Sequence, residues 1–226
     1  MLNKKIFAGF WFLCAASAFN NAAAEALEDA VDAMRIGDFA EAYCVMRPLA
    51  EDGNAEAQYN IGWMYLNGYG LRVNDSLALE WWQKASEQGH RDASFSIGML
   101  YSLGEGEVSK DSAKAIDYYL IAADAGHEDA IAILKFMLQK DDRHIRNRLY
   151  FIIHDRESMF GSVRYVKARK LNARNGPSTE SEIVTQLKQG EKVLEVNKQG
   201  LWSQVVVLVN KNIDHTLWVY NPLLED

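Results

Sequence analysis

AQYNIGWMYLNGYG, residues 57 to 70, and ASFSIGMLYSLGEG, residues 93 to 106, are two copies of one pattern. Ala57, Ile61, Gly62, Tyr65, Gly68 and Gly70 return 36 positions later as Ala93, Ile97, Gly98, Tyr101, Gly104 and Gly106. Downstream, Ala78, Trp82, Ala85 and Gly89 answer to Ala115, Tyr119, Ala122 and Gly126 at a spacing of 37, one extra residue having entered between Asp111 and Ala115. A period of this size belongs to stacked helical arrays, in which each unit buries its apolar face against its neighbours. Arrays of this kind present extended surfaces, so the pattern turns the functional expectation from chemistry towards binding.

Each copy reads as two helices. Ala57, Ile61, Met64 and Tyr65 have the spacing of one buried helical stripe, and Asn67-Gly68-Tyr69-Gly70 then breaks the helix. Asp75 is placed to cap the next helix, whose apolar face is Leu77, Ala78, Trp81, Trp82 and Ala85 and whose end is Gly89. The second copy follows with Asp111, Ala115, Tyr118, Tyr119, Ala122 and Gly126. Gly62 and Gly98 fall inside helices, where glycine costs about 1 kcal/mol against alanine, so a neighbouring helix is expected to pass close by. The array extends both ways. Residues 38 to 53 match the second half of a unit, with Asp38 and Glu41 at capping-box spacing and Pro48 expected to kink or restart the helix. His127, Ala130, Ile131 and Leu134 open a further first half.

The run Ala57-x-x-x-Ile61-Gly62-x-x-Tyr65-x-x-Gly68-x-Gly70, followed by Ala78-x-x-x-Trp82-x-x-Ala85-x-x-x-Gly89-His90, resembles Sel-1-like repeats, relatives of the tetratricopeptide repeat. The resemblance implies antiparallel helix pairs in a superhelix that serves as a scaffold or adaptor, and it brings no fixed ligand motif.

After Gly161 the pattern changes to short runs rich in β-branched and aromatic residues. Strands are expected at Val163 to Val166, Ile183 to Leu187, Lys192 to Val196, Trp202 to Val209 and Leu217 to Tyr220, with turns at Asn175-Gly176-Pro177, Gln189-Gly190 and Gln199-Gly200. Five short strands of this kind predict a small barrel. Leu171-Asn172-Ala173-Arg174-Asn175-Gly176-Pro177-Ser178, then Leu187-x-x-Gly190-x-x-Val193, Gly200-x-Trp202 and Trp218-Val219, resemble the bacterial Src-homology-3 (SH3b) domain. That resemblance implies targeting to peptidoglycan or to a protein of the cell envelope. Val209 to His215 is longer and more polar than the family's usual turn.

The fold class is therefore α + β multidomain, a short α-α superhelical solenoid followed by a small SH3-like β-barrel. Its expected segments are a signal peptide over 1–24, repeats over 25–139, a linker helix over 140–161 and the barrel over 162–226. The leader reading rests on Lys4 and Lys5, the apolar stretch from Ile6 to Phe19, and Ala22-Ala23-Ala24 as a cleavage signal before Glu25. It predicts a periplasmic or secreted protein with no stable membrane span after cleavage. Only Cys44 would then remain, excluding an intramolecular disulfide, and its helical setting reads as a small buried apolar residue.

Charge is uneven. From Glu25 to Leu138 there are 20 acids and 8 bases, and from Gln139 to Asp226 there are 11 acids and 14 bases. An acidic array excludes nucleic acid as its partner, which would require a basic face. Arg143, Arg146 and Arg148 form a basic face on the linker helix, solvated or open to an anionic polymer.

Candidate binding residues are the aromatics that escape the core, Tyr165, Trp202, Trp218 and Tyr220 in the barrel and whichever of Trp81 and Trp82 faces outward in the repeats. Trp202 and Trp218 have a competing structural reading from their motif positions, and Arg174 reads as a brace for the adjacent turn. His90 and His127 follow helix-ending glycines and read as polar contacts at helix C-termini rather than metal ligands. No catalytic, cofactor or metal site is expected: Ser-x-x-Lys and HExxH are both absent, and repeats and barrel leave no room for a catalytic domain. The expectation is a non-catalytic scaffold with a protein partner in the envelope, with peptidoglycan as a second ligand. Its alternatives are an activator of a peptidoglycan hydrolase, a cell-wall hydrolase and a secreted host-interaction factor.

Overall fold

The computed structural model describes residues 22–104, 106–140, 142–153, 155–207 and 216–226. Most of the leader and the polar segment Val209 to His215 lie outside these residues. Among the described residues no helix is long and apolar enough to cross a membrane. The chain divides into two compact units, one running to Asp111 and taking in Asp124–Gly126, the other holding Ser112–Ala123 and His127–Asp226.

The first unit is a run of helices: α1 (22–36), α2 (Phe39–Glu51), α3 (Ala55–Asn67), α4 (Asp75–Glu87) and α5 (Arg91–Leu103). Ala30, Met46, Ala50, Ala57, Ile61 and Met64 form one core cluster from α1, α2 and α3, and the small residues let the helices approach closely. Trp82 of α4, only 1% exposed, lies against Gly62 of α3, and its indole N–H donates to the Tyr59 carbonyl at 3.0 Å. A buried tryptophan must satisfy that donor, and the glycine leaves the backbone near enough to do so.

Loops repeat as well as helices. A Cβ on Gly70 would lie 2.9 Å from the Phe39 side chain, and one on Gly106 would lie 1.5 Å from Asp75 Oδ2. Phe39 and Asp75 are themselves 36 apart, so each loop glycine seats the first turn of the preceding second helix. Asp75 therefore serves the next repeat's loop, accepting from the Glu107 N–H at 3.3 Å, while Ser76 donates to Glu107 at 2.8 Å. The cap of α4 is Asn74, not Asp75, its side chain accepting from the Leu77 N–H at 2.8 Å. At α2 the Asp38 cap is as expected, but Pro48 neither ends nor restarts the helix, which runs on to Glu51.

The second unit opens with α6 (Ser112–Asp124), α7 (Glu128–Gln139), α8 (Arg143–Ile153) and α9 (Glu157–Phe160). Leu149 and Ile153 of α8 are fully buried. The short α9 was not foreseen; it packs on α7, α8 and two of the strands that follow. Seven strands form one antiparallel sheet: β1 (Ser162–Val166), β2 (Lys170–Arg174), β3 (Ile183–Lys188), β4 (Lys192–Gln199), β5 (Trp202–Val207), β6 (Leu217–Tyr220) and β7 (Leu224–Glu225), in the order β3-β2-β6-β5-β4-β1-β7. Leu187 of β3 and Leu224 of β7 stand at opposite edges yet share one core cluster with Leu171, Ala173, Val193, Val205 and Val219. A flat sheet would hold those edges roughly 29 Å apart, so the sheet curls on itself around its apolar side.

Candidate functional site

Antiparallel partners project from the same side of a sheet, and alternation then assigns each residue to a face. In β5, Ser203 and Val205 point into the curled core, so Trp202, Gln204 and Val206 point outward. In β6, Leu217 and Val219 point in, so Trp218 and Tyr220 point out. Trp202 pairs with Tyr220 and Gln204 with Trp218, which places three of the four barrel candidates on one outer face. The Trp202 and Tyr220 rings meet edge to face at 5.8 Å. Tyr220 is 37% exposed and both tryptophans are half-buried. Gln204 donates to the Thr216 hydroxyl at 2.7 Å, fixing the polar end of the same face.

Arg174, the strand partner of Trp218, sends its guanidinium to the Ser181 carbonyl at 2.5 Å and so braces the turn over 175–181. Tyr165 stands apart. It lies on β1, three strands from β6, paired with Lys192 and Glu225 and 38% exposed. On that side of the sheet Lys192 holds both oxygens of Glu157 at 2.7 Å, fastening α9 across β4.

In the first unit Trp82 is sealed in the core and offers nothing to a ligand; Trp81 is the half-buried member, with the Lys84 ammonium 4.0 Å from its ring centroid. Cys44 is exposed, contrary to the sequence expectation, because it lies on the side of α2 away from Ala42, Met46 and Ala50. His90 and His127 are not C-terminal contacts. Each is the N-cap of the following helix, accepting through Nδ1 from Ala93 N–H at 3.2 Å and Ala130 N–H at 3.4 Å. Asn54 does the same for α3, accepting from Ala57 N–H at 2.9 Å, so one repeat position carries three caps.

With Nδ1 accepting, His90 carries its proton on Nε2 and donates it to Glu56 at 3.0 Å. That bond holds the Glu56 carboxyl below its usual range, against the opposing effect of partial burial. Tyr59 stacks on the His90 ring at 4.8 Å, and burial pushes its phenol up. Arg148 is engaged by Asp117 of α6 at 2.5 and 2.6 Å, which removes it from a free basic face; the side chains of Arg143 and Arg146 lie outside the described residues. Among the described residues no three His, Cys, Asp or Glu side chains gather as a metal site would.

Trp63, in the repeats, is among the exposed apolar residues. The signal was in the register: Trp63, Met99 and Phe136 hold the same repeat position, and all three are exposed.

These features define a helical-repeat protein joined to a small curled β domain that carries an aromatic outer face. The Sel1 repeat model matches residues 55–90 and 91–127, and the bacterial SH3 domain model matches residues 169–225, so the chain is a Sel1-repeat protein with a bacterial SH3 domain. Both families are typically binding modules: Sel1 repeats suggest protein–protein contacts and bacterial SH3 domains suggest cell-wall binding. Among solved structures, a protective antigen of uropathogenic Escherichia coli strains displaying an SLR fold is 25% identical over 64% of this chain, with a TM-score of 0.50. A Sel1 repeat protein from Oxalobacter formigenes is 23% identical over 59% of this chain, with a TM-score of 0.48. The chain spans 32% and 58% of those two proteins respectively. No curated protein matches it.

Proposed function

We propose that this chain is an exported, non-catalytic scaffold whose repeats hold a protein partner and whose SH3 domain brings that partner to the cell wall or to an envelope protein. The observation that carries the reading is the shared outer face of Trp202, Trp218 and Tyr220. Half-exposed rings gathered on one sheet face give a platform on which sugar rings or extended peptides stack. The leader-like residues 1–24 supply the route to that ligand.

Pelleting the purified chain with peptidoglycan sacculi tests the wall arm. The chain is expected in the pellet, and Tyr220→Ala, which trims an exposed ring, is expected to shift it to the supernatant. A wild-type chain that stays in the supernatant refutes wall binding and leaves an envelope protein as the ligand. Clearing of a wall substrate in a gel assay would overturn the non-catalytic reading. Fractionation of cells expressing the chain with and without residues 1–24 tests export.

A further inference from the structure

Three rings meet at the start of the repeat array. Phe39 and Tyr69 stack with centroids 4.6 Å apart and planes 16° apart, and Trp63 lies 4.6 Å from Tyr69 at 33°. They come from the first turn of α2, from α3 and from the loop after α3. The trio belongs to this repeat alone, since the positions 36 residues on are Asp75, Glu105 and Met99. It is therefore not a requirement of repeat packing. Trp63 is 36% exposed, and Ile36, three residues before Phe39 and so within about 11 Å of it along the chain, is 82% exposed.

The surroundings are strongly acidic. Residues 25 to 75 hold ten acids and three arginines, a net of −7. Arg35 is matched with Asp32 at 2.9 Å and Arg47 with Glu51 at 2.8 Å on their own helices, and Arg72, three residues beyond Tyr69, is exposed. A neutral sugar would find rings here but gain nothing from the charge. Nucleic acid and anionic wall polymer would be repelled. A segment that alternates cationic and apolar side chains gains from both, and an exposed tryptophan adds cation–π attraction for lysine or arginine.

We propose that Ile36, Phe39, Trp63 and Tyr69 form a docking surface for a basic segment of a partner protein, one with aliphatic or aromatic residues set among its lysines and arginines. This rests on the reading that the repeats bind protein. The test is to pan a random dodecapeptide display library on the purified chain, then synthesise the recovered peptides and measure their affinities. Recovered peptides are expected to be net positive and to contain apolar residues. They should bind about tenfold or more weakly to Trp63→Ala and should weaken as salt is raised. Ile36→Ser, at a site too exposed to threaten folding, should weaken them in the same direction.

Neutral or acidic peptides, or basic ones that bind Trp63→Ala and Ile36→Ser as well as wild type, overturn this surface while leaving the protein-binding reading intact. A library that yields no binder to the chain overturns both.

Discussion

The indole of Trp82 occupies the space that a side chain on Gly62 would need. A Cβ there would sit 2.5 Å from Nε1 and 3.1 Å from the Ala78 carbonyl. Helix propensity alone makes Gly62→Ala stabilising by about 1 kcal/mol. The clash reverses the sign, and a net loss of about 1–3 kcal/mol is expected. Denaturant titration checks it, and a raised midpoint for Gly62→Ala would show that the α3–α4 crossing has slack. Trp82→Phe in the same background should recover part of the loss, because a smaller ring vacates the space; non-additivity of the two changes is the diagnostic.

Gly106 offers a cleaner comparison. Its φ is +65°, so any side chain there is strained, and its Cβ would also displace the Asp75 carboxylate that accepts from Glu107. Gly89 has φ +84° and nothing within 4 Å of a Cβ, so Gly89→Ala bears the backbone cost alone. Gly106→Ala is expected to be the more destabilising of the two, and Asp75→Ala should shrink the difference. Equal losses for the two alanines would mean that Asp75 contributes nothing to seating the loop.

The cap at His90 and its bond to Glu56 separate by pH and by substitution. Folding lowers the Glu56 pKa from its ordinary 4.5, so its contribution is fully present above that value and disappears as pH falls through the folded value. The stability gap between wild type and Glu56→Gln is therefore expected at neutral pH and should close in acid. His90→Ala loses the cap, for about 1 kcal/mol. His90→Asn should restore it, since Asn54 already caps α3 at the same repeat position. If asparagine proves as costly as alanine in thermal melts, the cap is not what His90 supplies.

The helices of the repeats are legible in the sequence because their signal is periodic: Ala57, Ile61, Ala78 and Trp82 return in phase, and each is buried. The apolar strands are legible for a similar reason. The strand over Lys170–Arg174 was missed because KLNAR has only two apolar residues, Leu171 and Ala173, and both are spent inward. The two-residue β7 is too short to carry any pattern. Caps were misassigned by one residue at Asn74 and by function at His90, because a residue between two helices reads equally as the end of one or the start of the next. Of the candidate site, the aromatic identities were legible. Their grouping was not, because it depends on the register of β5 against β6, which sets Trp202 beside Tyr220 and leaves Tyr165 elsewhere.

Register also explains a polar cluster inside the curled sheet. Glu195 of β4 accepts from the Ser203 hydroxyl of β5 and from Asn221 Nδ2 at 3.4 Å, and it lies 3.6 Å from Arg164 Nη1 of β1. Arg164 Nε is 3.2 Å from Asp226 but not aligned for a hydrogen bond, so Glu195 is the inner partner that matters. Glu195→Ala would leave the fully buried Ser203 hydroxyl without an acceptor and Arg164 without its inner charge. The expected loss is about 2–4 kcal/mol, against about 1 kcal/mol for Ser203→Ala, and the double variant should cost little more than Glu195→Ala alone. Glu195→Gln should fall between, keeping an acceptor for Ser203 but not the charge. Hydrogen exchange of the β1, β4, β5 and β7 amides is the measurement, since Asn221 and Asp226 flank the last strand and the cluster ties it to the sheet. If β7 amides stay as protected in Glu195→Ala as in wild type, then Leu224 in the apolar core is enough to hold that strand and the cluster is dispensable.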